Sequence, residues 1–355
     1  MARVELILGE GALGGAGSGR RYFHNLPYNR ESYLTQKSSL FIFSGSIFLR
    51  WIVRAFFLLF FALNLAAGEP DWAAQGKFFK ENGYLWIKDF FSDEQAALLR
   101  KWAEEIHSDS LELVRLSKET GLSLQALFRA LPGNLIVVPE AKDPGLICRA
   151  EDLSSCFPAL YAFISGTATE YAGRVLGEPY VLYKDKINFK WPGGGAFLPH
   201  QDYPAYELLG ARQHVTAMIT IDPATKENGC LYIAEKWTEA FKGDPKVDPE
   251  ALKAGRAVLP YAVGGSSHGS IEPECCEKIT WIALETSPRD LVLFDSFIPH
   301  YSEPNRSNHS RRAMFFTHNR LAEGNFRTAY YRAKREDPDN PIFHIGTPTK
   351  ARTKD

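Results

Sequence analysis

The sequence predicts a mainly β protein: a jelly-roll-like strand region with flanking helices, most of them on its N-terminal side. Two observations carry this. From Tyr180 onward, short apolar or alternating runs recur between turn residues: YVLYKDKINFK, HVTAMITI, GCLYIA, KITWIALET, DLVLFDS and RRAMFFTHN. They are rich in β-branched and aromatic residues, and only 249–255 between them has a helical pattern, as expected for a β-sandwich or barrel. Ahead of them, amphipathic helical patterns dominate instead.

Residues 1–70 form an N-terminal extension of different character. Residues 40–67 read LFIFSGSIFLRWIVRAFFLLFFALNLAA, followed by Gly68-Glu69-Pro70. After Arg54 the stretch Ala55–Ala67 carries no charge, yet a membrane span needs about 20 apolar residues. Basic residues before an apolar run that ends in small residues fit a signal peptide or signal anchor. The alternatives are an apolar helix packed on the domain, or non-native sequence from a misplaced start site. The protein is expected to be cytoplasmic if 40–67 is not a targeting segment, and membrane-anchored or secretory if it is.

The folded domain is expected over 71–335. Tyr84 to Ile87 reads as a strand. Ser92 with Gln95 three residues on is a capping box, and Ala96, Leu99, Trp102, Ala103 and Ile106 form the buried stripe of the helix it opens. A second helix is expected from about Phe157 to Val175, stopping at Gly177. After the strand region, residues 336–355 are polar and read as a wrapping tail.

The hydrophobic share is 45%, enough for a large core, and the formal net charge is -1. No overall field therefore draws the chain to nucleic acid, so the expected partner is a small molecule; oligomeric state stays open. The five cysteines lack CxxC spacing and read as buried free thiols.

Chemistry points to 191–206, WPGGGAFLPHQDYPAY. His200 and Asp202 suit two ligands of one metal. Of the nine histidines, His300 has the comparable setting, just after the strand DLVLFDS. Two imidazoles and one carboxylate on one face of a metal leave positions open, the facial triad of non-haem Fe(II) oxygenases. Such enzymes commonly take 2-oxoglutarate and O2 at the open positions. The far carboxylate of 2-oxoglutarate needs a cation, and a guanidinium fork suits it. Arg311 opens the strand RRAMFFTHN; alternation allows one of Arg311 and Arg312 to point inward. Ser302 projects with His300 if that strand continues. In KDKINFK, Lys184, Lys186, Asn188 and Lys190 share one face, with Tyr183, Asp185, Ile187 and Phe189 on the other. Buried lysines along a strand face favour an anionic substrate or help hold 2-oxoglutarate. Tyr203 and Tyr206 offer an aromatic wall for a quaternary amine. Gly193–Gly195 read as a lead-in loop rather than a phosphate cradle, since no GxxxxGK pattern follows.

HQD, a distant PHYS, and an arginine eleven residues past that histidine resemble the phytanoyl-CoA dioxygenase family of Fe(II)/2-oxoglutarate oxygenases. The resemblance runs from KENGYLWIKDFFSDEQ to TAYYRAKR, about 78–335. It implies a double-stranded β-helix, with iron held by His200, Asp202 and His300 and the far carboxylate by Arg311 and Ser302. Within the family, KDKINFKWPGGGAFLPHQDYPAY and PHYSEPNRS look most like the branch hydroxylating 2-aminoethylphosphonate and its trimethylated relative. The expected reaction is hydroxylation of a small, phosphonate-like anion with release of succinate and CO2. Asp202 argues for hydroxylation over halogenation, which needs a small residue there. The alternatives are the same chemistry on an acyl-CoA or secondary metabolite, a zinc hydrolase, or a catalytically silent β-helix that binds a ligand. EKW (235–237) stands where family members often have Gly-Ser-His, leaving that loop's packing open.

Overall fold

Strands that are apolar on both faces must be covered on both faces, and that requirement organises the domain. A computed structural model describes residues 70–131, 133–140 and 143–345. The extension and its apolar segment 40–67 lie outside them, as does the end of the tail. Pro70–Asp355 forms one compact unit. Among the described residues no helix is long and apolar enough to cross a membrane.

The main helices are α1 (Trp72–Asn82), α2 (Asp93–Thr120), α3 (Leu124–Ala130), α4 (Pro158–Ile164), α5 (Glu170–Leu176) and α6 (Arg327–Glu336). The strands are β1 (Tyr84–Ile87), β2 (Ile136–Pro139), β3 (Ile147–Glu151), β4 (Tyr180–Lys190), β5 (Phe197–His200), β6 (His214–Thr220), β7 (Leu231–Glu235), β8 (Thr280–Leu284), β9 (Leu291–Asp295), β10 (His300–Ser302) and β11 (Arg311–Arg320). They pair antiparallel into a seven-stranded sheet, β1-β9-β6-β11-β4-β3-β2, and a four-stranded sheet, β5-β10-β7-β8.

Alternation along the central strands builds two cores. Val215, Ala217 and Ile219 of β6, Leu291 and Leu293 of β9, and Met314 and Phe316 of β11 join a core with the helices. Met218, Val292, Phe294, Ala313 and Phe315, the intervening residues, join a second core with Leu231, Ile233 and Leu284 of the smaller sheet. The helices thus cover one face of the large sheet and the small sheet covers the other.

The capping box is present: Ser92 Oγ accepts from Gln95 N at 3.3 Å and Gln95 Oε1 accepts from Ser92 N at 2.8 Å. Leu99, Trp102, Ala103 and Ile106 are buried as expected, and the helix continues to a left-handed Gly121. The second expected helix is α4 and α5 joined by a π turn over Ser165–Thr169, and Gly177 stops it. In the tail, Pro341–His344 forms a short 3-10 turn, and Ile342, Phe343 and Ile345 pack on the core. Trp237, within EKW, is buried in the second core and opens a short helix, Trp237–Ala240.

The alternation expected for β4 fails at one point. Thr317 faces Lys184 but His318 faces Leu182, so Tyr183 is an extra residue, a β-bulge. Its ring sits 5.3 Å from Tyr206 and 5.1 Å from Tyr330, the same two rings that lie under the Lys184 ammonium. Tyr183 therefore keeps company with Lys184, and not only with Ile187 and Phe189.

Candidate metal centre

The short strands β5 and β10 place two histidines directly across from each other: His200 is the register partner of His300, with ring centroids 4.3 Å apart. Each ring is fixed by its own backbone. Nδ1 of His200 lies 2.6 Å from the Leu198 carbonyl oxygen, and Nδ1 of His300 lies 3.0 Å from that of Ile298. A carbonyl only accepts, so both Nδ1 atoms carry the proton and both Nε2 atoms present a lone pair. Asp202 Oδ1 lies 3.7 Å from His200 Nε2. One donor atom from each of His200, Asp202 and His300 falls within 4.8 Å of the others, an arrangement that could hold a metal ion.

Electrostatics keep the three donors in ligand form. Burial, then the neighbouring His300, lowers His200 to about 3, and burial lowers His300, so both imidazoles stay neutral. Burial alone would raise Asp202, but the charge around it, with Lys184 and Lys186 as the cations, outweighs burial and holds the carboxylate ionised. Between the ligands, Gln201 points elsewhere. It donates to the carbonyls of Ala257, at 2.9 Å, and Phe297, and accepts from Leu259 N at 2.8 Å. The middle residue of HQD thus pins the motif to the loop 257–259, a role its residue type alone does not reveal.

Beyond the triad is a cavity of about 40 Å³, lined by the three donors together with Lys186, Asn188, Ser302, Arg311, Thr216, Thr317, Ile345 and apolar residues. Arg311, rather than Arg312, is the inward arginine. It is 2% exposed, its Nε has no hydrogen-bond partner among the described residues, and burial lowers its pKa to about 10. Arg312 instead donates to both oxygens of Asp222, at 2.8 and 2.9 Å. Beside Arg311, its register partner Lys190 donates to Ser302 Oγ at 2.7 Å and to the Glu303 carbonyl at 2.5 Å. Burial, then Arg311, lowers Lys190 to about 7. The strand alternation grouped Lys190 with Lys186 and Asn188 on an anion-binding face but did not single it out as the partner of Arg311. The position of Lys190 requires Gly229. A Cβ there would meet the Glu303 carbonyl oxygen at 2.3 Å and Lys190 Nζ at 3.0 Å, and φ is +78°.

Two buried cations beside a hydroxyl, with no salt bridge to either among the described residues, form a site for an anion. Asn188 adds a buried carboxamide whose Oδ1 has no partner among the described residues. Lys186 lines the cavity with its ammonium 5.2 Å from the Phe315 ring centroid, and burial lowers its pKa. The donor set and the cation pair therefore fit a metal and a carboxylate co-ligand.

Three expected site residues stand away from the cavity lining. Tyr203 stacks on Phe297 at 4.1 Å, drawn off by the second core. Tyr206 is fully buried, packed on Tyr183 and His214. Lys184 lies behind the wall, over the Tyr206 ring at 4.6 Å, where burial lowers it to about 7. Neither Tyr203 nor Tyr206 is among the residues lining the cavity; the tyrosine that is there is Tyr301. The amides of Gly193 and Gly194 donate to the carbonyls of Asn305 and Trp191, which leaves neither for a phosphate.

A two-sheet jelly roll with a cross-strand His/Asp/His triad defines the class: a non-haem metal oxygenase scaffold. The chain matches the family Phytanoyl-CoA dioxygenase (PhyH) over residues 79–313 and belongs to it. It is an Fe(II)/2-oxoglutarate-type dioxygenase by that membership. Among its relatives, it is 34% identical to a 2-aminoethylphosphonate dioxygenase from the uncultured bacterium HF130_AEPn_1 over 261 residues, 72% of this chain and 85% of that protein. It is 32% identical to a methylphosphonate hydroxylase from Gimesia maris over 259 residues, 72% of this chain and 83% of that one. In fold it resembles EctD from S. alaskensis, solved with 2-oxoglutarate and 5-hydroxyectoine. The TM-score is 0.53 at 18% identity, covering 71% of this chain and 77% of the other.

Proposed function

We propose that the protein hydroxylates a small anionic, phosphonate-like substrate, using Fe(II), 2-oxoglutarate and O2, with release of succinate and CO2. The observation that carries this is the pair of sites on one strand. His300 supports the metal end, and Ser302, two residues on at about 6.7 Å, supports the Arg311–Lys190 end. That spacing suits a short dicarboxylate held by the metal at one end and by the two cations at the other.

His200, Asp202 and His300 would hold the iron. When bound, that iron supplies the oxidative decarboxylation of 2-oxoglutarate coupled to substrate hydroxylation. The residues do the rest. Arg311, Lys190 and Ser302 bind and orient the far carboxylate by charge-assisted hydrogen bonds. Lys186 and Asn188, on the same face of β4, offer charge and hydrogen bonds to the substrate anion. Phe294, Phe315 and Leu231 line the cavity with apolar surface that excludes water from the reacting atoms. The two phosphonate-acting relatives support the substrate class.

The test is substrate-dependent succinate release with Fe(II) and 2-oxoglutarate, screening small phosphonates, quaternary amines and acyl-CoAs. Stimulation by a small phosphonate is expected. Stimulation by acyl-CoAs alone would replace the substrate class while keeping the chemistry.

A further inference from the structure

The cavity is smaller than its chemistry needs, and one residue from outside the jelly roll roofs it. At about 40 Å³ it is far below the few hundred Å³ usual for a ligand pocket. Ile345 lines it with the triad, yet Ile345 comes from the segment after α6, far from the strands in sequence.

That segment is held in place by specific contacts. Asn340 Oδ1 caps the 3-10 turn by accepting from Ile342 N at 3.2 Å. The Phe343 ring meets Tyr330 edge-on at 5.7 Å. Arg149 donates to the Phe343 carbonyl at 3.3 Å and to His344 Nδ1 at 3.3 Å, so the other ring nitrogen carries the proton and donates to the Pro338 carbonyl at 2.8 Å. Arg149 is itself fixed by Glu151, at 2.7 Å, and Glu151 by Lys334, at 2.6 Å. The last residues before Ile345 are therefore anchored to β3 and α6 by a buried ion network.

On its other side, Ile345 fills the place of a missing side chain. A Cβ on Gly269 would meet Ile345 Cγ1 at 2.7 Å and Cγ2 at 2.8 Å. Gly269 precedes Ser270, which bridges to the ligand residue His200. The roof thus joins the anchored tail to the loop that touches the metal-site strand.

We propose that Ile345 is a specificity-determining residue: its side chain sets the length of substrate that fits between the roof and the metal. This rests on the function proposed above. Reducing the side chain lengthens the compartment, and enlarging it shortens the compartment, without touching a metal ligand or the Arg311 end.

The experiment measures binding of methyl-, ethyl- and butylphosphonate by calorimetry. It uses the full chain loaded anaerobically with Fe(II) and 2-oxoglutarate, unmutated and as Ile345→Ala and Ile345→Trp. Ile345→Ala should bind butylphosphonate at least 10-fold more tightly than the unmutated protein, with methylphosphonate changed less than 3-fold. Ile345→Trp should lose at least 10-fold on ethylphosphonate. Opposite shifts from the two variants exclude a general loss of folding as the cause. A length profile that is the same in all three proteins overturns the specificity role. The 2-oxoglutarate signal recorded before each titration separates the two readings: its absence in the unmutated protein contradicts the proposed function. Its presence, with an unmoved length profile, contradicts only the role of Ile345. Absence of binding by every phosphonate in the unmutated protein and in Ile345→Ala contradicts both.

Discussion

Arg312 makes a bidentate pair with Asp222, while its neighbour Arg311 is buried with no ionic partner among the described residues. Adjacent residues of one type thus separate by function, because alternation sends one to each face. Arg311→Ala should weaken 2-oxoglutarate about 10- to 100-fold, the size of one lost charge-assisted hydrogen bond at about 1.5–3 kcal/mol. Arg312→Ala should leave that affinity unchanged and lower stability instead; titration of the two variants separates the roles. His214 gives a prediction of another kind. It is fully buried, neither ring nitrogen has a partner among the described residues, and burial, then Lys184, lowers its pKa to about 3. Its folded pKa lies below the unfolded 6.5. As pH falls through that interval, the unfolded chain takes a proton that the folded one refuses. Stability should therefore drop by about 1.4 kcal/mol per pH unit from this residue alone. Denaturant melts between pH 6 and 4 should show a slope that His214→Phe reduces by that amount; an equal slope in both proteins would remove His214 as the cause.

At the level of elements, one hydroxyl of α6 gathers four hydrogen bonds at the sheet, beside the Lys334–Glu151 ion pair. Tyr331 Oη donates to Asp185, whose carbonyl and carboxylate oxygens lie at 2.8 and 2.9 Å, and accepts from Asp185 N at 2.9 Å and Asp152 N at 3.2 Å. Tyr331→Phe leaves these buried groups short of a partner and should cost about 1–3 kcal/mol, read from urea melts at constant m. Two strands were legible in the sequence: Tyr180–Lys190 and Tyr84–Ile87 have the bounds that alternation and turn residues indicate. The two strands that carry the histidines were not. β5 and β10 carry four and three residues, too few for any periodicity to show, yet they hold the two histidines. α6 is rich in Arg, Lys and Tyr, and its buried face, Tyr330, Tyr331 and Lys334, is not an apolar stripe. The bulge at Tyr183 arises from pairing with β11, which no single-strand pattern encodes.

For the whole molecule, the division of labour follows from the two cores. The helices complete the hydrophobic face of the large sheet, and between the sheets a second apolar core surrounds the charged site residues. The triad was readable because ligand chemistry demands particular residue types, even with Asp202 and His300 98 positions apart in the chain. The tyrosines after it were misplaced because aromatic residues beside a motif serve packing as readily as binding. Tyr203 went to Phe297 and Tyr206 to His214. Ile345 was invisible for the opposite reason: a short apolar cluster, Ile342, Phe343 and Ile345, in a polar tail carries no sign of what it will roof.

The central claim is that these residues assemble one iron and 2-oxoglutarate site, and anaerobic titration tests it most directly. Adding Fe(II) and then 2-oxoglutarate to the metal-stripped protein should produce a visible charge-transfer band. The band should be lost in His300→Ala and should need more 2-oxoglutarate in Arg311→Ala. No band in the unmutated protein, with no succinate formed once air is admitted, would contradict the account.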